Sequence, residues 1–296
     1  MILAYLKTLP ADRLHALTGL LPKALAELLI VVLPVLTQRR RHSLAQRPDR
    51  QRALGAGAKR QRSPTREVLL VLIYLRHNVA HEVVGQLFGV SADTRENLFH
   101  EIVPLLRELC PAHRFAAEKR WKRGEPTWTP EEVDHVLIDT FETPIPRPTG
   151  EARQRRVYSG KKKRHTVKTQ VATDSHGEGL TIAAGHPGPT ADKRIYEQSA
   201  VSEQFPDAVK QGDLAYVGTA GMAVPQRKPR GGQLTPAQRA DNRRKAVVRV
   251  HVEHGIRPLK ALRILREPYR HALGLFPMVA AAVAGLVHLS RLTALS

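Results

Sequence analysis

The chain has 296 residues, 42% hydrophobic and 25% charged, a globular composition with length for about two domains. Its 47 Lys and Arg against 27 Asp and Glu leave a net charge of +20, which points to a polyanionic partner, nucleic acid before a membrane surface. The single cysteine, Cys110, excludes an internal disulfide framework and a cysteine-based zinc site, and fits a reduced cytosolic compartment.

Two apolar runs, 28–36 and 272–287, fall short of the roughly 18 to 20 residues a membrane span needs, so both are expected as buried helices. The first residues lack the basic start and small-residue cleavage site of a signal peptide. Residues 1–37 place Leu14, Leu17, Leu20, Leu21, Leu25, Leu28 and Leu29 at helical spacing, suited equally to packing or to dimerisation. Residues 38–66 then hold ten Lys or Arg, among them Arg39, Arg40, Arg50, Arg52, Lys59 and Arg60, against Asp49 alone. The part from 38 to 64 reads as a basic arm along phosphates or, failing that, a solvated linker.

Residues 65–110 predict three helices. The second turns Val83, Val84, Leu87 and Phe88 inward, and Gly89-Val90-Ser91 then offers a left-handed terminator followed by an N-cap. That is the helix-turn-helix spacing, with an ordinary helical hairpin as the alternative. Its last helix is expected to present Asp93, Thr94, Arg95 and Asn97 to base edges or phosphates. The Pro- and Trp-containing stretch 111–134 is a connector and marks a domain boundary.

Residues 135–296 form the second domain. A short apolar strand, Val136-Leu137-Ile138, ends in Asp139, the way an α/β sheet presents a ligand at its carboxyl edge. A basic turn follows, including Lys161, Lys162, Lys163 and Arg164, then strands over 165–172 and 180–184 and a helix from Asp192. A short strand over 211–218 begins with a second acid, Asp213. The segment 225–245 is basic and Pro/Gly-containing, a helix over 245–265 carries Glu253, and an apolar helix closes the chain. Glu253 stands among Arg249, Arg257, Lys260 and Arg263, so it suits a metal ligand in a phosphate-binding surface, or a plain salt bridge to Arg257. Three carboxylates would serve phosphodiester chemistry by holding two hard cations about 4 Å apart. Asp192 reads as a helix N-terminal residue first and an auxiliary acid second.

The motifs of 63–289 resemble bacterial insertion-sequence transposases of the DDE type, the group sharing its endonuclease domain with Harbinger-type elements. They are Gln86-Leu-Phe-Gly-Val-Ser91, Asp139 with Thr143-Pro-Ile-Pro-Arg-Pro148, Tyr158-Ser-Gly-Lys-Lys-Lys-Arg-His165, Lys168-Thr-Gln170, Gly212-Asp213 with Tyr216, and Val252-Glu253-His254 with Leu259-Lys260. The resemblance implies an α/β (α+β) chain: a ribonuclease-H-like mixed sheet of five strands flanked by helices, preceded by an all-α helix-turn-helix domain. It implies Asp139, Asp213 and Glu253 as a triad for two Mg²⁺ (or Mn²⁺), with Asp139 bridging both ions. Double-stranded DNA, as element ends and target, is the implied partner, engaged by a homodimer in the bacterial cytoplasm at the nucleoid. Phe141, Ala191 and Ala215 depart from the family pattern, which keeps an inactive or domesticated DNA-binding descendant as the alternative. An RNA-binding protein would explain the charge but not the three acids.

Overall fold

The computed structural model describes residues 8–48, 62–110 and 133–294, together with 51, 53 and 56. The connector 111–134 lies outside the described residues up to 132, as do Arg50, Arg52, Lys59 and Arg60 of the basic stretch.

Two helices open the described chain. α1 (Ala11–Thr18) stops at Gly19, whose φ of 78° suits glycine, and α2 (Pro22–Ala45) follows with proline at its first turn. The 24 residues of α2 run into the stretch expected as a free arm. Arg40 there donates from Nε to Glu101 at 2.6 Å and from Nη1 to Glu67 at 2.7 Å, and Arg39 pairs with Glu108 at 2.6 Å. These arginines hold α2 to its neighbours and are not an arm for phosphates, because acids on two later helices face them at helical spacing.

The helix-turn-helix expectation is met by α3 (Pro64–His77), α4 (His81–Phe88) and α5 (Ala92–Leu109). Gly89, with φ of 62°, ends α4, and the Ser91 hydroxyl accepts from the Thr94 N–H to start α5. Phe88 is buried as expected, but Val83 is 46% exposed; the side chains of Val84 and Leu87 lie outside the described residues.

The second part is a mixed sheet. Its strands are β1 (His135–Pro144), β2 (Tyr158–Ser159), β3 (Arg164–Thr173), β4 (Gly179–Pro187), β5 (Val209–Gln211) and β6 (Met222–Ala223). The main order is β4-β3-β1-β5-β6: the first three are antiparallel, β5 and β6 add in parallel, and the short β2 pairs with β3. The basic turn is therefore a helix, α6 (Glu151–Val157), the two-residue strand β2 and a tight turn over 160–163. α7 (Asp192–Glu197) and α8 (Val201–Gln204) contribute Tyr196 and Val201 to a small core with Val136, Ile138 and Tyr216 on one face. α9 (Pro236–Ala261) and α10 (Phe276–Ala294) cover the other face. α9 starts nine residues before the expected 245, because Thr235 and Gln238 form a reciprocal capping box with Pro236 at the first helical position.

One apolar core runs from α2, α3 and α5 through α10 to Leu137 and Phe141 of β1. α10 is apolar and long enough to pass a length-and-composition test for a membrane span, yet it is this core's central helix, with Val279, Val283 and Leu286 buried. The joint is reinforced by His271, between α9 and α10. Its ring stacks on Phe99 of α5 at 3.8 Å, with Nδ1 3.1 Å from a Glu96 oxygen and Nε2 2.9 Å from the Tyr74 hydroxyl. A carboxylate only accepts, so Nδ1 carries the proton and Nε2 accepts from Tyr74.

Gly285 lets α10 pack closely on the end of α5, since a Cβ there would stand 1.8 Å from the Cys110 carbonyl oxygen. Gly285→Ala is expected to destabilise the chain by about 1–3 kcal/mol through overpacking, lowering Tm by several degrees in a thermal melt. An unchanged Tm would show that the α5–α10 contact is looser than described.

Candidate active site

Alternation along β1 decides where its acid points. Val136 and Ile138 belong to the core on one face, Leu137 and Phe141 to the core on the other. A period of two therefore puts Asp139 on the Leu137 face, toward α9. β5 runs parallel to β1 with Leu137 opposite Gln211, and two further residues along each strand reach Asp139 and Asp213. The two acids thus leave adjacent parallel strands at the same level, at the carboxyl edge of the sheet. Asp213 follows its strand instead of beginning one: its Oδ1 accepts from the Ala215 N–H at 2.8 Å and caps a turn of 3₁₀ helix at Leu214–Tyr216. Gly212 lets the chain turn there, as a Cβ would stand 2.5 Å from the Tyr216 ring.

α9 crosses this edge. Gly255, which in isolation weakens a helix, lets α9 lie against the sheet, because a Cβ there would be 2.6 Å from Thr173 Cγ2. Two residues earlier Glu253 faces solvent, 62% exposed at its side chain. Arg249, one turn before it, reaches both acids: Nη1 is 3.9 Å from Asp139 Oδ2 and Nη2 is 3.9 Å from Glu253 Oε1.

Two clefts meet beside Asp139. One, of about 530 Å³, is lined by Asp139, Glu253, Arg257, Lys260 and Arg266 among others. The second, of about 500 Å³, includes Lys161, Lys162, Lys168 and Asp192, and shares Thr140, Phe141 and Lys260 with the first. Asp192 sits at its floor, paired with Lys168 Nζ at 2.7 Å, and the same Nζ donates to the Thr190 carbonyl at 2.7 Å. Burial pushes the Asp139 carboxyl up to about 6 from an ordinary 3.8. The Thr140 N–H and Arg249 oppose that rise, while Asp213 and Asp192 add to it. Burial and the same three acids hold the Tyr216 phenol above its ordinary range.

The expected site residues separate into groups. Asp139 and Asp213 come together, with Asp192 near enough to act on Asp139 electrostatically; Glu253 faces Asp139 across Arg249. Among the described residues no three His, Cys, Asp or Glu side chains stand close enough to hold one ion. Arg257 and Lys260 line the first cleft and Lys161 and Lys162 the second, while Lys163 and Arg164 are exposed beside it. In the helix-turn-helix, Asn97 is exposed and Thr94 half-buried. Arg95 is a correction: only 3% exposed, it lies over the Tyr74 ring, 5.2 Å from its centroid, and bonds Glu96 at 3.1 Å. Helical spacing explains it, because Arg95 shares a face with Leu98, Phe99 and Ile102; the exposed face carries Asp93, Asn97 and His100. Two partnerships escape the sequence reading, Arg249 with Asp139 and Lys168 with Asp192, although it names both cations. The i, i+4 spacing of Arg249 to Glu253 marks its helix face but not its reach to Asp139; Lys168 stands in a family motif, but its strand gives no sign of Asp192.

This arrangement stands beside several similarities. Residues 138–289, just over half the chain, match the family of DDE superfamily endonucleases, and residues 63–112 match the helix-turn-helix of DDE superfamily endonucleases. A protein of Microchaete diplosiphon, described as a transposase for insertion sequence element IS702, is 28% identical over 226 residues, covering 74% of this chain and 78% of its own length. One of Streptomyces albus G, described as a transposase for insertion sequence element IS112, is 28% identical over 202 residues, covering 67% of this chain and 70% of its own. No solved structure gives a significant match. With the paired strand-end acids, the acid-bearing helix and both family matches in the expected order, the chain belongs to the DDE superfamily endonucleases, as a DNA-cleaving transposase of the insertion-sequence kind.

Proposed function

We propose that this transposase binds the inverted-repeat ends of its element, cuts them, and joins the freed 3′-hydroxyl to target DNA, with Asp139, Asp213 and Glu253 as its catalytic acids. The observation that supports it best is the β1–β5 register, which sets Asp139 level with Asp213 under the helix that carries Glu253. The family depends on divalent metal. The donor set here fits such an ion in kind: carboxylate oxygens are the ligands hard cations take. It also fits in charge, since burial and the nearby Asp213 and Asp192 disfavour a bare Asp139 carboxylate that a cation would stabilise. We read Asp139 and Asp213 as the inner pair of ligands for two Mg²⁺ or Mn²⁺ ions, and Glu253 as the third, once Arg249 has moved from between them. When bound, the ions stabilise charge on the attacking and leaving oxygens of the phosphodiester.

The remaining work falls to the chain's own cations. Arg257, Lys260 and Arg266 line the cleft next to Asp139 and suit the phosphates flanking the cut. Lys161 and Lys162 extend that surface along the adjoining cleft. Asn97, with Thr94 beside it, is the part of α5 placed to meet base edges, and Arg95 is not. Joining two ends needs two such sites, so the working form we infer is a homodimer on DNA.

Asp139→Asn, Asp213→Asn and Glu253→Gln are each expected to lower metal-dependent nicking of repeat-end DNA by about a thousandfold or more, while gel-shift affinity stays near wild type. Three variants that all still cut would sink the triad; tight binding without nicking in the wild type under Mg²⁺ or Mn²⁺ would restore the inactive reading. Asp139→Asn also has a signature in stability. A carboxyl raised in the folded state stabilises below its unfolded pKa of 3.8 and loses that stability as pH rises through about 6. At pH 7.5 the variant is therefore expected to melt higher than wild type, by on the order of 2–3 kcal/mol, with the difference shrinking toward pH 4. A lower Tm for the variant at pH 7.5 would contradict the burial argument. Lys162→Ala should weaken binding to all duplex sequences alike and reduce the slope of log affinity against log salt by about one; an unaltered slope would take Lys162 off the DNA path.

A further inference from the structure

Among the described residues, Arg249 is the cation that reaches both Asp139 and Glu253. Its guanidinium spans β1 and α9, 3.9 Å from Asp139 on one side and 3.9 Å from Glu253 on the other. The pairing with Glu253 alone would be an ordinary contact one turn apart on a helix. The reach to Asp139 is different, because it joins two elements and puts positive charge where the two acids converge. Arginine cannot release its proton, so the charge leaves only if the side chain moves. It is free to move: the side chain is 31% exposed and both contacts are near the limit of an ion pair, with no hydrogen bond among those formed to either acid. Resting on the catalytic reading above, we propose that Arg249 is a resident counter-ion that competes with the divalent metal for Asp139 and Glu253 and must swing away before Glu253 can join Asp139 on an ion.

This accounts for a disagreement in the geometry. The family requires a metal site, yet among the described residues no three acidic or histidine side chains are close enough to form one. Arg249 lies 3.9 Å from each of the two acids that would share an ion. It also supplies a coupling. The clefts on either side are open to DNA and lined by Arg257, Lys260 and Arg266 in one, Lys161 and Lys162 in the other. A phosphate arriving there offers the Arg249 guanidinium a partner of full charge, so DNA entry draws it off the acids and metal entry frees it for DNA. By linkage each ligand then tightens the other by the same factor.

The test is Mn²⁺ binding to the full chain without DNA, read by electron paramagnetic resonance of the free ion, in Arg249→Gln, Arg249→Lys and Arg257→Gln. Arg249→Gln is expected to bind Mn²⁺ more tightly than wild type, by roughly 5-fold or more, the range of ordinary coupling energies. Arg249→Lys keeps the charge and should stay near wild type. Arg257→Gln removes the same charge from the cleft lined by Asp139 and Glu253, and should change affinity by less than half as much on a logarithmic scale. Affinity in Arg249→Gln that is unchanged or weaker overturns the proposal. So does an equal gain in Arg257→Gln, which would reduce the effect to bulk charge. Asp139→Asn separates this from the underlying reading: Mn²⁺ binding lost in that variant keeps the acid site even if Arg249 fails, and binding as in wild type removes the site itself.

Discussion

Parallel pairing of β1 with β5 carries the site, because it is the contact that makes two distant acids neighbours. Seventy-four positions separate Asp139 from Asp213 in the chain, and the register Leu137 opposite Gln211 closes that distance to adjacent strands. Parallel strands end on the same side, so acids placed just past each strand meet at one edge. The cost is electrostatic. Burial first, and then the neighbouring charges of Asp213 and Asp192, disfavour the ionised form of Asp139 and push its carboxyl up to about 6. A site so built is unstable as a bare cluster of acids and complete only with a cation.

The rest of the fold arranges cations around it. β1 itself is held on its other edge by β3, whose Lys168 neutralises Asp192 from beneath. α9 brings Arg249, Arg257 and Lys260 over the acids, and it can lie that close because residue 255 has no side chain. Its far end is tied to the helical part: Arg76 of α3 donates to the Ala261 carbonyl at 2.7 Å, and Asn78 to the Pro268 carbonyl at 3.1 Å. His271 then wedges between Tyr74 and Phe99. The helix-turn-helix and the acid-bearing helix are therefore fastened to each other and share one core.

Much of this was legible in the residues, and the legible part has a common character. Patterns local in sequence were read correctly: the Gly89 and Ser91 signals of the turn, the apolar strand before Asp139, the helical position of Glu253. The family resemblance implied a mixed sheet and singled out Asp213, which local pattern placed at a strand's start and which in fact follows one. Features set by a tertiary partner were not legible. Arg39 and Arg40 read as an arm because nothing in the chain announces that Glu108, Glu67 and Glu101 face them. Arg95 read as a base contact because its neighbours Asp93, Thr94 and Asn97 are polar, although its spacing to Leu98 and Phe99 marks the inner face. Lys168 lies in a strand of Thr and Val whose cation gains meaning only when Asp192 arrives from another element.

A protein of net charge +20 that keeps three acids at its centre faces an apparent contradiction, since those acids repel the phosphates that the surface attracts. The layout resolves it by distance. Lys161, Lys162, Arg257, Lys260 and Arg266 line the clefts, whereas Asp139 and Glu253 lie in the first cleft, next to the Thr140, Phe141 and Lys260 that it shares with the second. At that place a phosphodiester is tolerated only when positive charge intervenes. On the reading proposed above, the same electrostatics would hold the chemistry back until a cation is present, and Arg249, lying 3.9 Å from two of the acids, would be the chain's own counter-ion for that interval.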